Sequence, residues 1–422
     1  MTYDPKAWSR HFNDNQRLFE RDGLVKNIFK PNRVSVVMGA QTGSEAKGCA
    51  SALLAKIGRP GVLLTANSRN SSHTVTDSSV SRSGVVKVLP AGAFYWGYQD
   101  YRPYIFIGPG AAFKPEDLKK EVEMLEVPRT HLFIHPLAAI VTPEDEGLEN
   151  GTHDFNGKPI ADRDLALSRT GTTGSGSGAA RAKRALRRAT MARDVNAVWE
   201  YAQPRGDINE TIANCYNGAL LDGSQGFQLS NYGPHYPYCT SRSTSVASFL
   251  SETCVAPALL NSVVGVNRTF PIRIASNRYL HNGAFLTQVE IDALRADGRG
   301  DEIQVVEGSS GGWETDQTEL TWDEIRSYAG WDVPSEITTL TKLPRRIATM
   351  SEIAWRDFVR LNNAPGGVFM FLTFLNYLNG DPKAAHEHGK SLTKFMADSD
   401  VYCGEEHVLF NWSPETDHAS TL

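Results

Sequence analysis

The chain has 422 residues, 41% of them hydrophobic and 22% charged, a globular balance that excludes a disordered or collagen-like polymer. Its 43 basic and 48 acidic residues give a net charge of −5, which argues against a protein that coats nucleic acid or an anionic membrane. The polar opening carries no signal-peptide core, apolar runs are short, and the five scattered cysteines read as reduced thiols, so a cytoplasmic protein with no membrane or nucleic-acid partner is expected.

Residues 1–32 are polar and predict a short helical extension before the core. Val34-Ser-Val-Val-Met-Gly39 is a β-branched run ending in glycine, which predicts a buried strand. Residues 45–57 have helical spacing, and Gly61-Val-Leu-Leu-Thr65 predicts a second buried strand. Strand, glycine loop, helix and strand make a βαβ unit, and that implies an α/β fold with a mostly parallel central sheet and helices on both faces. Residues 104–109 and 131–136 predict further short strands. Residues 170–178 form a glycine loop, followed by a strongly basic helix over 179–193. A strand is expected over 218–222, a long loop over 223–245, an inserted polar subregion with short strands over 300–345, and a final strand over 368–373. No linker divides the chain, so residues 33–422 are expected to form one domain with insertions.

Five segments carry possible chemistry. Gly39-Ala-Gln-Thr-Gly-Ser-Glu-Ala-Lys-Gly48 lies between strand and helix. Such a turn lets backbone N–H groups approach a phosphate, with Lys47 as a point charge. It is not a Walker A loop, because Gly48 stands where Ser or Thr is required. A tight strand-to-helix turn explains it equally well. Asn70-Ser-Ser-His-Thr74 follows the second strand, where open α/β sheets place ligands. Taken singly, His73 also fits an ordinary loop histidine. The 170–178 loop, the 222–242 stretch and the 338–346 stretch each fit polar surface loops when read alone.

Their order is more specific. The chain resembles the adenylosuccinate synthetase family over about residues 33–418. The family's GDEGKG is matched by Gly43-Ser-Glu-Ala-Lys-Gly48, and its NAGHT by Asn70-Ser-Ser-His-Thr74. Its GTTGRGIGP is matched by Gly171-Thr-Thr-Gly-Ser-Gly-Ser-Gly178. Its EGAQG and YPYVTSS are matched by Asp222-Gly-Ser-Gln-Gly226 and Tyr236-Pro-Tyr-Cys-Thr-Ser-Arg242. Its TTGRRRR is similar to Thr338-Thr-Leu-Thr-Lys-Leu-Pro-Arg-Arg346, and its SGP-like loop to Ser413-Pro-Glu-Thr-Asp417.

The resemblance implies an enzyme that moves a nucleotide γ-phosphate to O6 of a purine monophosphate, after which aspartate displaces that phosphate at C6. Lys47 would contact the transferring phosphoryl group and His73 would stabilise its charge. Gly43, Gly48 and Thr74 would line the donor nucleotide. Gln225 would hold the O6 side of the purine. Asn70, Thr173 and Thr240 would hold the substrate 5′-phosphate. Arg187 matches an arginine donated by a partner subunit, which implies a homodimer. Position 44 and the Ser72 carbonyl would serve Mg²⁺, and Thr341 and Arg345 would grip aspartate.

Three departures refine the expectation. Ser44 replaces the family's catalytic Asp. A hydroxyl is a poor base near neutrality and brings the metal no charge. A smaller side chain there makes space for a purine 2-amino group, a swap that resembles the phage-type branch acting on dGMP. IMP as substrate and a non-catalytic nucleotide-binding protein remain as alternatives. The family's guanine-reading LTKLD is replaced by Leu372-Thr-Phe-Leu-Asn376. Asn376 matches adenine's donor and acceptor edge, and Phe374 offers a stacking face, so ATP or dATP is the expected phosphoryl donor. Leu343 replaces an arginine near the ribose, which fits a deoxynucleotide.

Overall fold

Apolar β-branched runs fold as strands at the heart of the chain. In a computed structural model, the described residues are 24–77, 82–162, 164, 170–338, 342–381, 383–385, 387–389, 391 and 408–410. Nine strands form one sheet: β1 (Val34–Gly39), β2 (Val62–Thr65), β3 (Tyr104–Ile107), β4 (Leu132–Ile134), β5 (Gln203–Pro204), β6 (Ala219–Gly226), β7 (Leu260–Arg268), β8 (Val368–Thr373) and β9 (Val408–Phe410). Their spatial order is β9-β8-β7-β1-β6-β2-β3-β4-β5. Every neighbouring pair is parallel.

The helices that matter to the site are α1 (Leu24–Ile28), α2 (Lys47–Gly58), α3 (Pro143–Glu149), α4 (Ser177–Ala185) and α5 (Glu352–Leu361). Alternate residues of the strands face opposite layers. Val37, Leu63 and Ile105 pack with Ala50 and Leu54 of α2 on one face. Val36, Leu64 and Leu221 pack with Trp355 and Phe358 of α5 on the other. The mostly parallel sheet with helices on both faces is therefore present. No helix among the described residues is long and apolar enough to cross a membrane.

Three boundaries differ from expectation, and the expected helical extension is tied to the core at one end. Its helix closes on Ile28, and Ile28 and Phe29 pack into the core while Lys26, Asn27 and Lys30 to Asn32 are exposed. The Ile28 carbonyl accepts hydrogen bonds from Ser35 Oγ (2.5 Å), Asn261 Nδ2 (2.7 Å) and Ser262 Oγ (2.9 Å). β6 runs on to Gly226, through residues assigned to a loop. The basic helix starts at Ser177, inside the glycine loop, and ends at Ala185, well short of residue 193. Beyond it the backbone pairs elsewhere: Ile140 N–H donates to the Thr190 carbonyl and Ala192 N–H to the Ala138 carbonyl. Arg187 consequently lies past the helix, exposed and with a φ of 61°, instead of on it. The inserted subregion holds short strands at Gln304–Val306 and Glu319–Leu320, as expected, and a helix at Trp322–Ala329.

Candidate active site

β6 sits between β1 and β2, and the chain then crosses to β7 on the other side of β1. This is a topological switch point, where the loops after neighbouring strands part and leave a crevice at their carboxyl ends. The loops after β1, β2, β6, β7 and β8 all open onto that edge.

The loop after β1 is built around a buried ion pair. Glu45 is fully buried, and its Oε2 lies 2.7 Å from Lys47 Nζ. Its Oε1 accepts the Gly43 N–H at 2.6 Å. Gly226 makes room for this turn: a Cβ there would stand 2.1 Å from the Gln41 carbonyl and 2.7 Å from Glu45 Oε1. Gly43, Ser44 and Ala46 all have positive φ, of 96°, 54° and 62°. Two non-glycine residues thus hold the left-handed conformation, which costs roughly 1–2 kcal/mol each. Ser44 is exposed at the rim of the loop. Its carbonyl accepts a hydrogen bond from Arg268 Nη1 at 3.2 Å.

His73 lies behind Lys47 and Gly48. It is 2% exposed, and its Nε2 has no hydrogen-bond partner among the described residues. Gly48 permits this approach, since a Cβ there would sit 2.7 Å from His73 Cβ. Burial pushes the imidazole pKa below its ordinary value, and Lys47 adds to this against the opposing pull of Asp222 and Glu45. A neutral imidazole is therefore held beside the lysine. Ser72 and Thr74 flank it, both exposed.

A second group of residues meets between the loops after β2 and β6 and the 170–176 loop. Gln225, at a φ of 72°, donates from Nε2 to Asn70 Oδ1 at 2.5 Å. Asn70 Nδ2 donates to Thr240 Oγ1 at 3.2 Å. Asn70 N–H reaches Ser177 Oγ at 3.2 Å, and hydroxyl contacts continue through Ser175 to Thr173. Four of the expected substrate-binding residues are thus joined in one hydrogen-bonded chain. Glu149, at the end of α3, fixes its base. Its carboxylate accepts N–H groups from Gly176 (2.9 Å), Gly178 and Ala179 (3.1 Å). A buried carboxylate thereby satisfies the N-terminal amides of α4.

The third group gathers on the far side of Ser44. Glu336 accepts from Arg268, from Arg345 Nη1 at 3.0 Å and from the Tyr377 hydroxyl at 3.0 Å. Burial pushes the Glu336 carboxyl up, but Arg268 and Arg345 outweigh it and hold it down at about 2. Asn376 is 2% exposed, and its Oδ1 has no hydrogen-bond partner among the described residues.

Two expectations are corrected here. Phe374 is no free stacking platform: it is 3% exposed, and the Arg268 guanidinium lies 3.9 Å from its ring centroid. Leu343 is 1% exposed and packs with Leu286 and Ile291, so it faces a small apolar cluster and not a ribose. Thr341 and the 413–417 loop lie outside the described residues.

Sequence reasoning missed Glu149, Arg268 and Glu336. Glu149 meets partners 27 to 30 residues later, and Arg268 and Glu336 are 68 residues apart. No local spacing marks such pairs. Glu45 stood inside a quoted motif, and its place between a glycine and a lysine was the available signal.

A glycine turn, a buried lysine and a buried neutral histidine at a switch point define a phosphate-handling α/β enzyme. Residues 36–214 match the adenylosuccinate synthetase family. The N6-succino-2-amino-2′-deoxyadenylate synthase of Vibrio phage phiVC8 is 30% identical over 82% of this chain and 87% of its own length. The adenylosuccinate synthetase of Methanocaldococcus jannaschii is 28% identical over 61% of this chain and 69% of its own. Among solved structures, cyanophage S-2L succinoaminodeoxyadenylate synthetase, bound to dGMP and to dATP as an energy donor, shares the fold. Its TM-score is 0.67 at 23% identity, covering 92% of this chain and 95% of that one. The chain belongs to the adenylosuccinate synthetase family, a family of ligases.

Proposed function

We propose that the protein joins L-aspartate to C6 of dGMP, using ATP or dATP, to give N6-succino-2-amino-2′-deoxyadenylate, the corresponding diphosphate and phosphate. The observation that carries this reading is Ser44: a small neutral side chain exposed at the rim of the loop where the family places a carboxylate. A purine 2-amino group needs that space, and a hydroxyl can hydrogen-bond its edge. The phage relative that spans most of both chains bears the name of this activity.

In this reading N1 of dGMP gives its proton to a water held by Ser44, O6 attacks the γ-phosphorus, and the bond to the β–γ bridging oxygen breaks, releasing the diphosphate. The aspartate amine then adds at C6 and phosphate leaves. Lys47 offsets charge on the transferring phosphoryl group. The neutral His73 donates a hydrogen bond at the bridging oxygen and offsets the charge that develops there. Gln225 orients the base, and Asn70, Thr173 and Thr240 hold the 5′-phosphate. Gly43, Gly48 and Thr74 line the donor phosphates. Arg345 and Thr341 hold aspartate. Arg187, exposed beyond α4, is available to a second subunit, in keeping with a homodimer. The buried, open Oδ1 of Asn376 supports adenine in the donor, since it can accept from N6 while Nδ2 donates to N1.

Mg²⁺ fits with neutral donors. Ser44 and Ser72 are exposed at the crevice, while the Glu45 carboxylate is committed to Lys47 and Gly43. The metal would draw its charge compensation from the donor phosphates, as such sites commonly do, and would supply electrostatic relief to the phosphoryl group. The reading also takes residues 33–422 as one domain, supported by a single sheet whose strands run from Val34 to Phe410, and places the protein in the cytoplasm.

The test is to incubate the enzyme with dGMP, aspartate, Mg²⁺ and either ATP or GTP, and to weigh the product. A succinyl adduct formed preferentially with ATP is expected. Adduct only from IMP would turn the reading into ordinary adenylosuccinate synthesis. Nucleotide binding without any adduct would mark a non-catalytic relative.

A further inference from the structure

The ion cluster around Glu336 joins four parts of the crevice. Arg268 comes from the end of β7 and is wholly buried. It pairs with Glu336, donates to the Ser44 carbonyl at 3.2 Å, and lies over the Phe374 ring. Tyr377, in the same turn as Asn376, donates its hydroxyl to Glu336. Arg345 is held twice: its Nη1 donates to the Glu336 carboxylate at 3.0 Å, and its backbone N–H to the Glu336 carbonyl at 2.9 Å. Arg345 Nε is buried and has no hydrogen-bond partner among the described residues.

Among the described residues, two guanidinium groups share the Glu336 carboxylate, and Arg345 Nε is left as an open buried donor. That is what a ligand carboxylate would complete. The same Glu336 oxygens also bind the turn that presents Asn376. Movement of Arg345 toward a ligand must therefore be felt at Tyr377 and Arg268.

We propose that Glu336 is a positioning residue that aims Arg345 at the carboxylate of the amino-acid substrate and ties that grip to the donor-base turn. Amino acid and nucleoside triphosphate then bind cooperatively. This rests on the reading that Arg345 holds aspartate and Asn376 reads the donor base. Glu336 touches no substrate itself; it acts through Arg345 and Tyr377.

The test uses the full-length enzyme with dGMP present. Titration calorimetry measures a non-hydrolysable ATP analogue with and without succinate, a dicarboxylate lacking the amine, and then the reverse. Each should tighten the other by the same factor, about fivefold or more, because linkage is reciprocal. In Glu336→Gln that factor should fall to about one, and KM for aspartate should rise roughly tenfold while KM for dGMP stays unchanged. Tyr377→Phe removes one hydrogen bond and spares the ion pairs. It should lower the coupling factor, raising KM for aspartate at saturating ATP by no more than the coupling lost and leaving aspartate affinity without nucleotide near wild type, and it serves if Glu336→Gln does not fold. Wild-type coupling of one, or full coupling retained in Glu336→Gln or, should that variant not fold, in Tyr377→Phe, overturns the proposal. Arg345→Ala separates it from the underlying reading. Unchanged KM for aspartate in that variant refutes the assignment of Arg345. Raised KM with intact coupling in Glu336→Gln refutes only the role of Glu336.

Discussion

Glu45, fully buried, and Glu336, half-buried and tied to the Ser44 carbonyl through Arg268, are assembled in opposite ways. Glu45 finds its partners within two residues of itself, in Gly43 N–H and Lys47. Glu336 finds them at Arg268, Arg345 and Tyr377, on three separate segments. The first is a local device that shapes one loop around a lysine. The second is a junction that ties loops together. One end of the crevice is therefore visible as a motif and the other only in three dimensions.

Removing the local cation should have the largest effect. Lys47→Ala should cost about a thousandfold in turnover, the upper range for loss of one electrostatic stabiliser. It also strands Glu45 in the interior, so stability should fall by about 3–5 kcal/mol, and Lys47→Ala with Glu45→Gln should recover much of that in a chemical melt. A double variant no more stable than the single one would show that the pair is not the keystone of the loop. Gly48→Ala should follow, at about a hundredfold in turnover, because its Cβ displaces His73 by a fraction of an ångström to an ångström. Wild-type turnover would mean His73 needs no fixed place.

The junction should respond to acid. The Glu336 carboxyl is held below its ordinary value of 4.5, at about 2. A depressed carboxyl contributes stability above its unfolded pKa and loses it as pH falls through the folded one. The stability gap between wild type and Glu336→Gln should therefore be full above pH 4.5 and close on the way to pH 2. A gap that stays constant over that window would remove the ion cluster from the account. The smallest effect is expected at Ala46, at a φ of 62°. Ala46→Gly should raise stability by about 1 kcal/mol through relief of left-handed strain. A loss of stability there would show that the loop draws no strain from Ala46.

Much of the sheet was legible because its strands are short apolar runs closed by glycine or proline, as at residues 34–39 and 104–107. The chemical blocks after β1, β2 and β6 were legible for a related reason. Asn70 follows β2, Gln225 stands at the end of β6, and Lys47 and His73 open the next helix and strand, where a turn and a polar side chain coincide in sequence. The rest was hidden by distance. The 179–193 segment has a helical composition, yet its second half pairs with backbone at 138–140. Phe374 stands where a stacking face was expected, but Arg268, more than a hundred residues earlier, covers it. Glu149 satisfies the N-terminus of α4 from a different helix. Each is a tertiary choice that no local pattern encodes.

In the proposed function, a serine at position 44 selects a 2-aminopurine. The most direct measurement is a single-vessel competition of dGMP against IMP, with ATP, aspartate and Mg²⁺, run on wild type and on Ser44→Asp. The products are counted by mass. Wild type should succinylate dGMP in clear preference, and Ser44→Asp should move the ratio toward IMP by about tenfold or more, the discrimination of one polar contact. An identical product ratio in the two proteins would contradict the account.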